Sequence, residues 1–561
     1  MCLVFGAAAL ATFATSDPLV PHSTFRPKRA SEFHPGLVKL LGSDVREILS
    51  LTGQRLALRA HEEVGVRNER VRALDLNDQQ LTQLLKASSV TVREWALRTM
   101  GERDMERLPR AELVAVATNT HERLFVRGLA VRVLGREAID STTAETMLEI
   151  LGKSEDIQFR RIVLETLASS AGASPSLVER LVGFLKAPEA AIQFEAFTTL
   201  RRVDGARNAA AMPADYEKAS RLSDLIGQNA AEAARTGLGL LKAPNLPAYV
   251  RCTALRSLAY QTNQPGAVQA LLTAAGDEDS FITELAGNVL NSLPPVDAQG
   301  VAALCDGIRS SNDVVRLHAL LRLSAAGQKL DAISDAVVIE LQRIAREGAS
   351  ARETGLCLEI ARKLGAEIAP AAGSLVGMLS ESSPAFRDLS KHEVDRIRGM
   401  TFATMAAMGT PPEALEVIVS ALANSDESSV HEFSGAARAA ARLGARGRVT
   451  IPHLLRALDS RETSWSGWIA LETFDAHTST NAVYTTPQVE ALRALAVLGA
   501  NDPAVIHALR AFVKSAPADS EGIDAGVGIP NAREEAMKAL SNTRGTRGLL
   551  GQKATPRGNR E

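Results

Sequence analysis

The fold of this chain is decided by the stretch Val92-Arg93-Glu94-Trp95-Ala96-Leu97-Arg98-Thr99-Met100-Gly101. Counted from Val92, apolar residues stand at positions i, i+4, i+5 and i+8, which share one side of an α-helix. Such a helix buries that side against a neighbour and leaves the opposite side exposed. The stretch therefore predicts an amphipathic helix that packs on other helices.

The same pattern recurs along the chain, and we call it the repeat motif. Later copies begin at Val126, Phe159, Ile192, Val250, Ile282 and Val315. The distances between successive starting residues are 34, 33, 33, 58, 32 and 33 residues. A nearly fixed period in this range indicates a solenoid of helix pairs, because one pair alone cannot bury its apolar side.

Further helix pairs are visible after the last clear copy of the motif. They are 336–346 with 350–364, 371–379 with 394–408, 412–423 with 429–443, 452–458 with 487–498, and 503–514 with 531–540. The sequence therefore predicts about eleven to thirteen helix pairs over residues 77–542. The 58-residue spacing predicts an insertion near 208–226 that contains a helix over 216–226, and a second insertion is predicted at 459–486.

The segments outside the repeats are predicted from their composition. Residues 1–16 are apolar and end in small residues, which is typical of a secretory signal peptide. We therefore expect an exported protein, periplasmic or extracellular; if the stretch is instead a first buried helix, we expect a cytoplasmic one. Residues 17–36 contain four prolines and are predicted as a linker. Residues 37–76 are predicted as an N-terminal helical cap with helices over 37–58, and residues 543–561 as a disordered basic tail.

The overall composition limits the classes of fold and partner. Hydrophobic residues make up 45% of the chain but aromatic ones only 4%, which favours closely stacked helices over a β-sandwich. The formal net charge is −2, which argues against general electrostatic binding of nucleic acid but leaves room for a local basic strip. No segment after the signal reaches about 18 unbroken apolar residues, so we expect no membrane span in the mature chain.

Sequence motifs for catalysis and metal binding are missing. The four cysteines are far apart and form no CxxC pair. Each His-Glu pair lacks the second histidine that a zincin helix requires, and there is no phosphate-binding glycine loop or nucleophile elbow. We therefore predict no catalytic residue, no cofactor and no metal site, although a triad assembled only in space would escape such a search.

Aromatic residues are concentrated in the second insertion. It contains Trp465, Trp468 and Tyr484 in an otherwise aromatic-poor chain. Tryptophan and tyrosine are favoured at binding hot spots because they bury a large area with few torsions to fix. We predict that these three residues contact a partner. The alternative is that residues 468–471 form a short helix that closes over the neighbouring repeat.

The repeat motif resembles the HEAT repeat, an armadillo-like helical repeat, and in particular the short bacterial form similar to phycobilisome-lyase repeats. The resemblance covers residues 77–340 closely and 341–542 loosely. It implies an all-α fold, a right-handed α-solenoid whose second helices line the concave face of a superhelix. It also implies that the arginines at the second motif position pair with acidic groups of adjacent turns: Arg93, Arg127, Arg160, Arg251 and Arg316. The alternative, an inward-facing anion site, is weakened because Gln193 and Thr283 interrupt the series.

These observations predict a non-catalytic scaffold for protein–protein interaction, which binds an unidentified protein or peptide on its concave face. Three alternatives stay open because fold alone does not determine function. One is a bilin-lyase-like enzyme or lyase subunit, suggested by the style of the repeat. Another is a helical-repeat nucleic-acid-binding protein, which would need a basic inner face. The third is a regulatory or sensory module that works with a separate enzyme.

Overall fold

The computed structural model describes residues 28–29, 57–58, 77–103, 105, 107–170, 174–203, 212–259, 266–325, 333–426, 429–459, 469–471, 474, 484–515 and 531–542. The predicted signal peptide and basic tail lie outside these residues, as do Trp465 and Trp468. The chain divides into two compact units. The first consists of Met1–Ser220 and Pro247–Tyr249, and the second of Arg221–Leu246 and Val250–Glu561.

The first unit consists of consecutive helix pairs. Its helices are α1 Asp78–Leu84, α2 Val90–Glu102, α3 Arg110–Thr118, α4 Leu124–Leu134, α5 Ser141–Lys153, α6 Ile157–Leu167, α7 Pro175–Phe184 and α8 Ala190–Arg202. Side chains of Asn77, Asp140, Asp156 and Ser174 accept the free backbone N–H groups where four of these helices begin. The second helices α2, α4, α6 and α8 pack side by side in one row.

An additional helix follows these pairs, as the 58-residue spacing predicted. The chain continues with α9 Ala214–Gln228, α10 Ala230–Leu241 and α11 Ala248–Leu258. In the first unit, the ring of Phe197 lies 5.4 Å from that of Tyr216 and 5.4 Å from that of Tyr249. The inserted helix therefore contributes an aromatic side chain to the core of the first unit.

The second unit repeats the pairwise arrangement. Its further helices are α12 Ala267–Ala275, α13 Ser280–Ser292, α14 Ala298–Ile308, α15 Asp313–Ala325, α16 Ser334–Glu347, α17 Ala351–Leu364, α18 Ala372–Met378, α19 Lys391–Met408, α20 Leu415–Asn424, α21 Val430–Arg442, α22 Ile451–Asp459, α23 Pro487–Leu498, α24 Pro503–Ser515 and α25 Ala532–Asn542. Short 3-10 segments span Gly365–Ala371, Pro384–Phe386, Pro412–Ala414 and Gly444–Thr450. The second helices α13, α15, α17, α19, α21, α23 and α25 form one row.

Two rows of antiparallel helices are the arrangement of an α-solenoid, so the predicted all-α solenoid class is confirmed. With α10 and α11, the helix pairs in the described part of the chain number twelve, within the predicted range. The right-handed superhelix implied by the resemblance stays a prediction. None of the helices among the described residues is long and apolar enough to cross a membrane.

Two glycines allow a close helix contact in the second unit. Gly399 of α19 faces α21, and a Cβ at this position would lie 2.6 Å from the carbonyl carbon of His431. Gly435 of α21 in turn packs against the backbone of Gly399. Only residues without a side chain allow two helix backbones to approach this closely.

Two short antiparallel ribbons accompany the helices. Strand β1, Lys28–Arg29, pairs with β2, Ala57–Leu58, and β3, Ile469–Ala470, pairs with β4, Tyr484–Thr485. The helix predicted to include Ala57–Leu58 is therefore wrong at these two residues, and the short helix considered for 468–471 is wrong at Ile469–Ala470. In both places the backbone groups bond to a distant segment, which local periodicity does not reveal.

Candidate interaction site

At four copies of the repeat motif, the side chain at the second position caps the turn that precedes the second helix. Side chains at this position donate to the carbonyl six residues earlier: Arg93 to Ala87, Gln193 to Ala187, Thr283 to Asp277 and Arg316 to Ser310. These carbonyls follow the end of a first helix, where no helical N–H group reaches them. The two residues that interrupt the arginine series therefore make the same contact as two of the arginines.

Four of the five arginines at the second motif position form an ion pair with a carboxylate of the following repeat. The pairs are Arg93 with Glu122 at 2.6 Å, Arg160 with Glu189 at 2.8 Å, Arg316 with Glu353 at 2.7 Å, and Arg251 with Asp277. Arg127 differs, because it donates to the carbonyl of Ala117 and lies 4.5 Å above the ring of Phe159. A structural role for the arginines stays a prediction, which substitution can test.

One side of the second helices in the first unit carries apolar side chains that are not fully buried. Trp95, Leu129 and Ile162 occupy the same motif position in α2, α4 and α6 and are half-buried. Phe125, one turn before Leu129, is 52% exposed, and the guanidinium of Arg98 lies 5.2 Å from its ring centre. We call the surface formed by Trp95, Phe125, Leu129 and Ile162 the first-unit face.

In the second unit, a segment of the chain itself lies against three second helices, α17, α19 and α21. Phe474, from the second insertion, packs on Gly355 of α17, and its N–H donates to the carboxylate of Glu359 at 3.3 Å. The Arg396 guanidinium of α19 lies 4.5 Å from the Phe474 ring centre and donates to the Phe474 carbonyl. The insertion therefore contacts two successive second helices through one aromatic residue.

Residues before Phe474 extend this contact along the row. Ile469 and Leu471 are buried and form an apolar cluster with Ala403 of α19 and with Val430 of α21. We call the surface formed by Gly355, Glu359, Arg396, Ala403 and Val430 the second-unit face. A segment of the same chain occupies this face.

Tyr484, the one predicted contact residue within the described part of the chain, is half-buried in β4. Its neighbour Thr485 donates to Glu490 of α23 at 2.8 Å. Glu490 also accepts two hydrogen bonds from Arg438 of α21 and one from Arg493 at 3.2 Å. Burial opposes ionisation of Glu490, but the hydrogen bonds and charge of Arg438, together with Thr485 and Arg493, outweigh it and lower the pKa of this carboxyl.

A shallow cavity adjoins this charge cluster in the second unit. Its volume is about 360 Å³, and it is lined by Arg438, Ala441, Arg442, Glu490, Arg493, Ala494 and Val497. No group of three or more His, Cys, Asp and Glu side chains suited to a metal ion occurs among the described residues. The cavity arginines were not singled out from the sequence, although residues 433–458 hold five arginines and no acidic residue.

Comparison with known proteins identifies no family. No family model matches the chain, and no curated protein matches it. The chain is similar to a homology model of the full-length AP-3 complex in an intermediate open conformation, with 10% identity, a TM-score of 0.37, and coverage of 91% of this chain and 96% of that one. It is also similar to Kap121p, with 12% identity, a TM-score of 0.34 and coverage of 84% of this chain and 57% of that one. Similarities at these TM-scores place no constraint on function.

Proposed function

We propose that this protein is a non-catalytic scaffold that binds an apolar segment of a partner protein on the first-unit face. The row of second helices provides a rigid surface, because each helix is fixed by its own pair and by its neighbours. Trp95 is one of the residue types that most often dominate binding energy at protein interfaces, and Phe125 is an aromatic residue of a kind enriched there. Arg98, beside Phe125 and paired with Glu94 at 3.0 Å, lies at the rim of the same surface.

The observation that carries this proposal is the occupant of the second-unit face. There an extended segment with apolar side chains, 469–471 and 474, lies across α17, α19 and α21. The first-unit face is built from the same kind of helices, and its apolar side chains are still partly exposed. A partner that covers Phe125 and Leu129 would remove apolar surface from water, which favours association.

The test uses a library of random dodecapeptides displayed on phage, selected against the full chain. We expect selection of apolar sequences, whose affinity is then measured by fluorescence anisotropy with synthetic peptides. Replacing a hot-spot side chain by alanine costs about 2 kcal/mol or more, so Phe125→Ala and Trp95→Ala should each weaken binding by about thirtyfold. Neither substitution removes an ion pair or a helix cap.

Ile339→Ala is the matched control, because Ile339 is an apolar side chain that is 46% exposed on a first helix of the second unit. It should leave peptide affinity within about twofold, as expected for a residue outside the interface. The proposal is overturned if the library yields no binder. It is equally overturned if selected peptides bind the Phe125→Ala and Trp95→Ala variants as tightly as the unaltered chain.

A further inference from the structure

A second binding site, separate from the first-unit face, is indicated by the cavity between α21 and α23. We propose that this cavity binds a carboxylate-bearing segment of an acidic peptide. Three of its lining residues are arginines, Arg438, Arg442 and Arg493, against the single carboxylate of Glu490. Because the site lies in the second unit, its failure in the test below would leave the proposed function of the first unit unaffected.

Glu490 holds two of the three guanidinium groups in place. Its oxygens accept from Arg438 at 2.8 and 3.1 Å and from Arg493 at 3.2 Å, and its side chain is only 2% exposed. Arg493 also lies 3.5 Å from Glu535. The Arg493 guanidinium carries five N–H groups, and its contacts with Glu490 and Glu535 occupy only part of that number within the described ranges. The buried carboxylate of Glu490 therefore orients Arg438 and Arg493 at the wall of the cavity.

Arg442 is the cation most available to a ligand. It lies one helical turn after Arg438 on α21, its side chain is exposed, and it makes no ion pair with any residue that the structure describes. Arg446 and Arg448 follow in the adjoining 3-10 segment, are also exposed, and likewise make no ion pair within the described ranges. This local excess of positive charge contrasts with the formal net charge of −2 for the whole chain.

The shape and apolar lining favour a peptide. A planar guanidinium binds a carboxylate through two parallel hydrogen bonds, which adds direction to the charge attraction. Ala441 and Ala494 form small apolar walls, and Val497 at the rim is 60% exposed. An acidic side chain can enter beside the arginines while an aliphatic neighbour covers Val497. A nucleic acid would instead require a longer run of phosphate contacts than one cavity offers.

The experiment measures binding of a labelled hexapeptide, LEELEE, to the full chain by fluorescence anisotropy at low ionic strength. Loss of a charge-assisted hydrogen bond costs about 1.5–3 kcal/mol, so Arg442→Glu should weaken binding by at least about tenfold. Arg442→Lys keeps the charge but loses the planar fork, and we expect an intermediate affinity. A peptide with glutamine in place of glutamate should bind at least about tenfold more weakly than LEELEE to the unaltered chain.

Arg346→Glu is the matched control, because Arg346 is an exposed arginine of α16 and this substitution changes the net charge equally. It should alter affinity for LEELEE by less than about twofold. An equal loss in the two charge-reversal variants would mean non-specific attraction and would overturn the proposal. So would an unchanged affinity in Arg442→Glu, or a single-stranded oligonucleotide that binds more tightly than LEELEE through Arg442. Far-UV circular dichroism of each variant checks that the helices are intact.

Discussion

Replacing Gly355 by alanine should loosen the second insertion from the second-unit face. A Cβ at this position of α17 would overlap the ring of Phe474, so the ring has to shift or leave. Helix α17 itself tolerates the change, because alanine is favoured over glycine inside a helix by about 1 kcal/mol. The substitution therefore affects the docked segment and the helix in opposite directions.

The two effects can be separated because they act on different equilibria. Overpacking a buried contact costs about 1–3 kcal/mol. This cost applies in full to local docking of the segment, since α17 is helical whether or not Phe474 is docked. The local free energy of opening should therefore fall by about 1–3 kcal/mol, which accelerates amide exchange about 5- to 150-fold. Global unfolding should change less, because the helix-propensity gain offsets part of the cost.

Hydrogen exchange followed by mass spectrometry provides the assay, with a peptide that covers residues 469–474 as the reporter. Gly239→Ala in α10 is the matched control, because no atom lies within 4 Å of a Cβ there. It should leave exchange in the reporter unchanged. In a Phe474→Ala background, Gly355→Ala should no longer accelerate exchange, because the overlapping ring is gone. Equal acceleration in that background, or none in the single variant, would refute the reasoning.

Three further predictions concern the polar contacts. Arg316→Ala removes a buried ion pair and the cap of a carbonyl, so the unfolding free energy from urea denaturation should fall by about 2–4 kcal/mol. Arg309→Ala, which removes a largely exposed ion pair, should lower it by less than about 1 kcal/mol. Gln193→Arg keeps a side-chain donor but removes the acceptor for the N–H of Ala248. It should therefore destabilise the first unit by about 1–2 kcal/mol in the same assay. A neutral effect would contradict the assigned contact. For Glu490→Gln we expect a loss of about 3 kcal/mol at pH 7. Because folding lowers the pKa of Glu490, its ionised form contributes fully to stability above the ordinary pKa of 4.5, and this contribution disappears as the pH falls through the folded pKa. The difference in unfolding free energy between the variant and the unaltered chain, measured by urea unfolding from about pH 7 to about pH 3, should therefore shrink below pH 4.5.

Helix positions in this chain followed closely from the periodicity of the sequence. Helix α23, Pro487–Leu498, begins and ends at the predicted residues. The helix predicted over 216–226 is two residues longer at each end, from Ala214 to Gln228. Apolar spacing, prolines at first turns and small polar caps are local signals, and helices are held together by local hydrogen bonds. These elements were therefore predictable without any long-range information.

The contacts made at those positions were less predictable. Gln193 and Thr283 interrupt the arginine series in the sequence, yet each donates to the same type of carbonyl as Arg93 and Arg316. The sequence displays the type of side chain but not the acceptor that it reaches. A position that requires only a donor can be filled by arginine, glutamine or threonine.

The surface on which the second insertion docks could not be predicted from the sequence, for a different reason. Phe474 donates to Glu359, which is 115 residues earlier in the chain. No local pattern fixes a contact at that separation, because it depends on how many repeats lie between the two residues and on which side chains line the row. The aromatic content of the insertion indicated a contact surface, and packing of residues 468–471 on the neighbouring repeat was one of the two interpretations. Nothing in the sequence located that contact on α17, α19 and α21.

The two faces also differ in which side of the contact carries the large side chains, the helix row or the segment that packs on it. On the second-unit face, Gly355 leaves a gap and the segment fills it with the ring of Phe474. On the first-unit face, Ile162 itself fills the space beside Gly128, because its Cδ1 lies 3.1 Å from the position of a Cβ there. The projecting side chains are then those of the scaffold, Trp95 and Phe125. A segment that packs well on this face needs small or aliphatic residues opposite them, since two sets of large rings would leave unfilled space. Peptides selected on the first unit should therefore contain alanine, valine and leucine more often than phenylalanine or tryptophan.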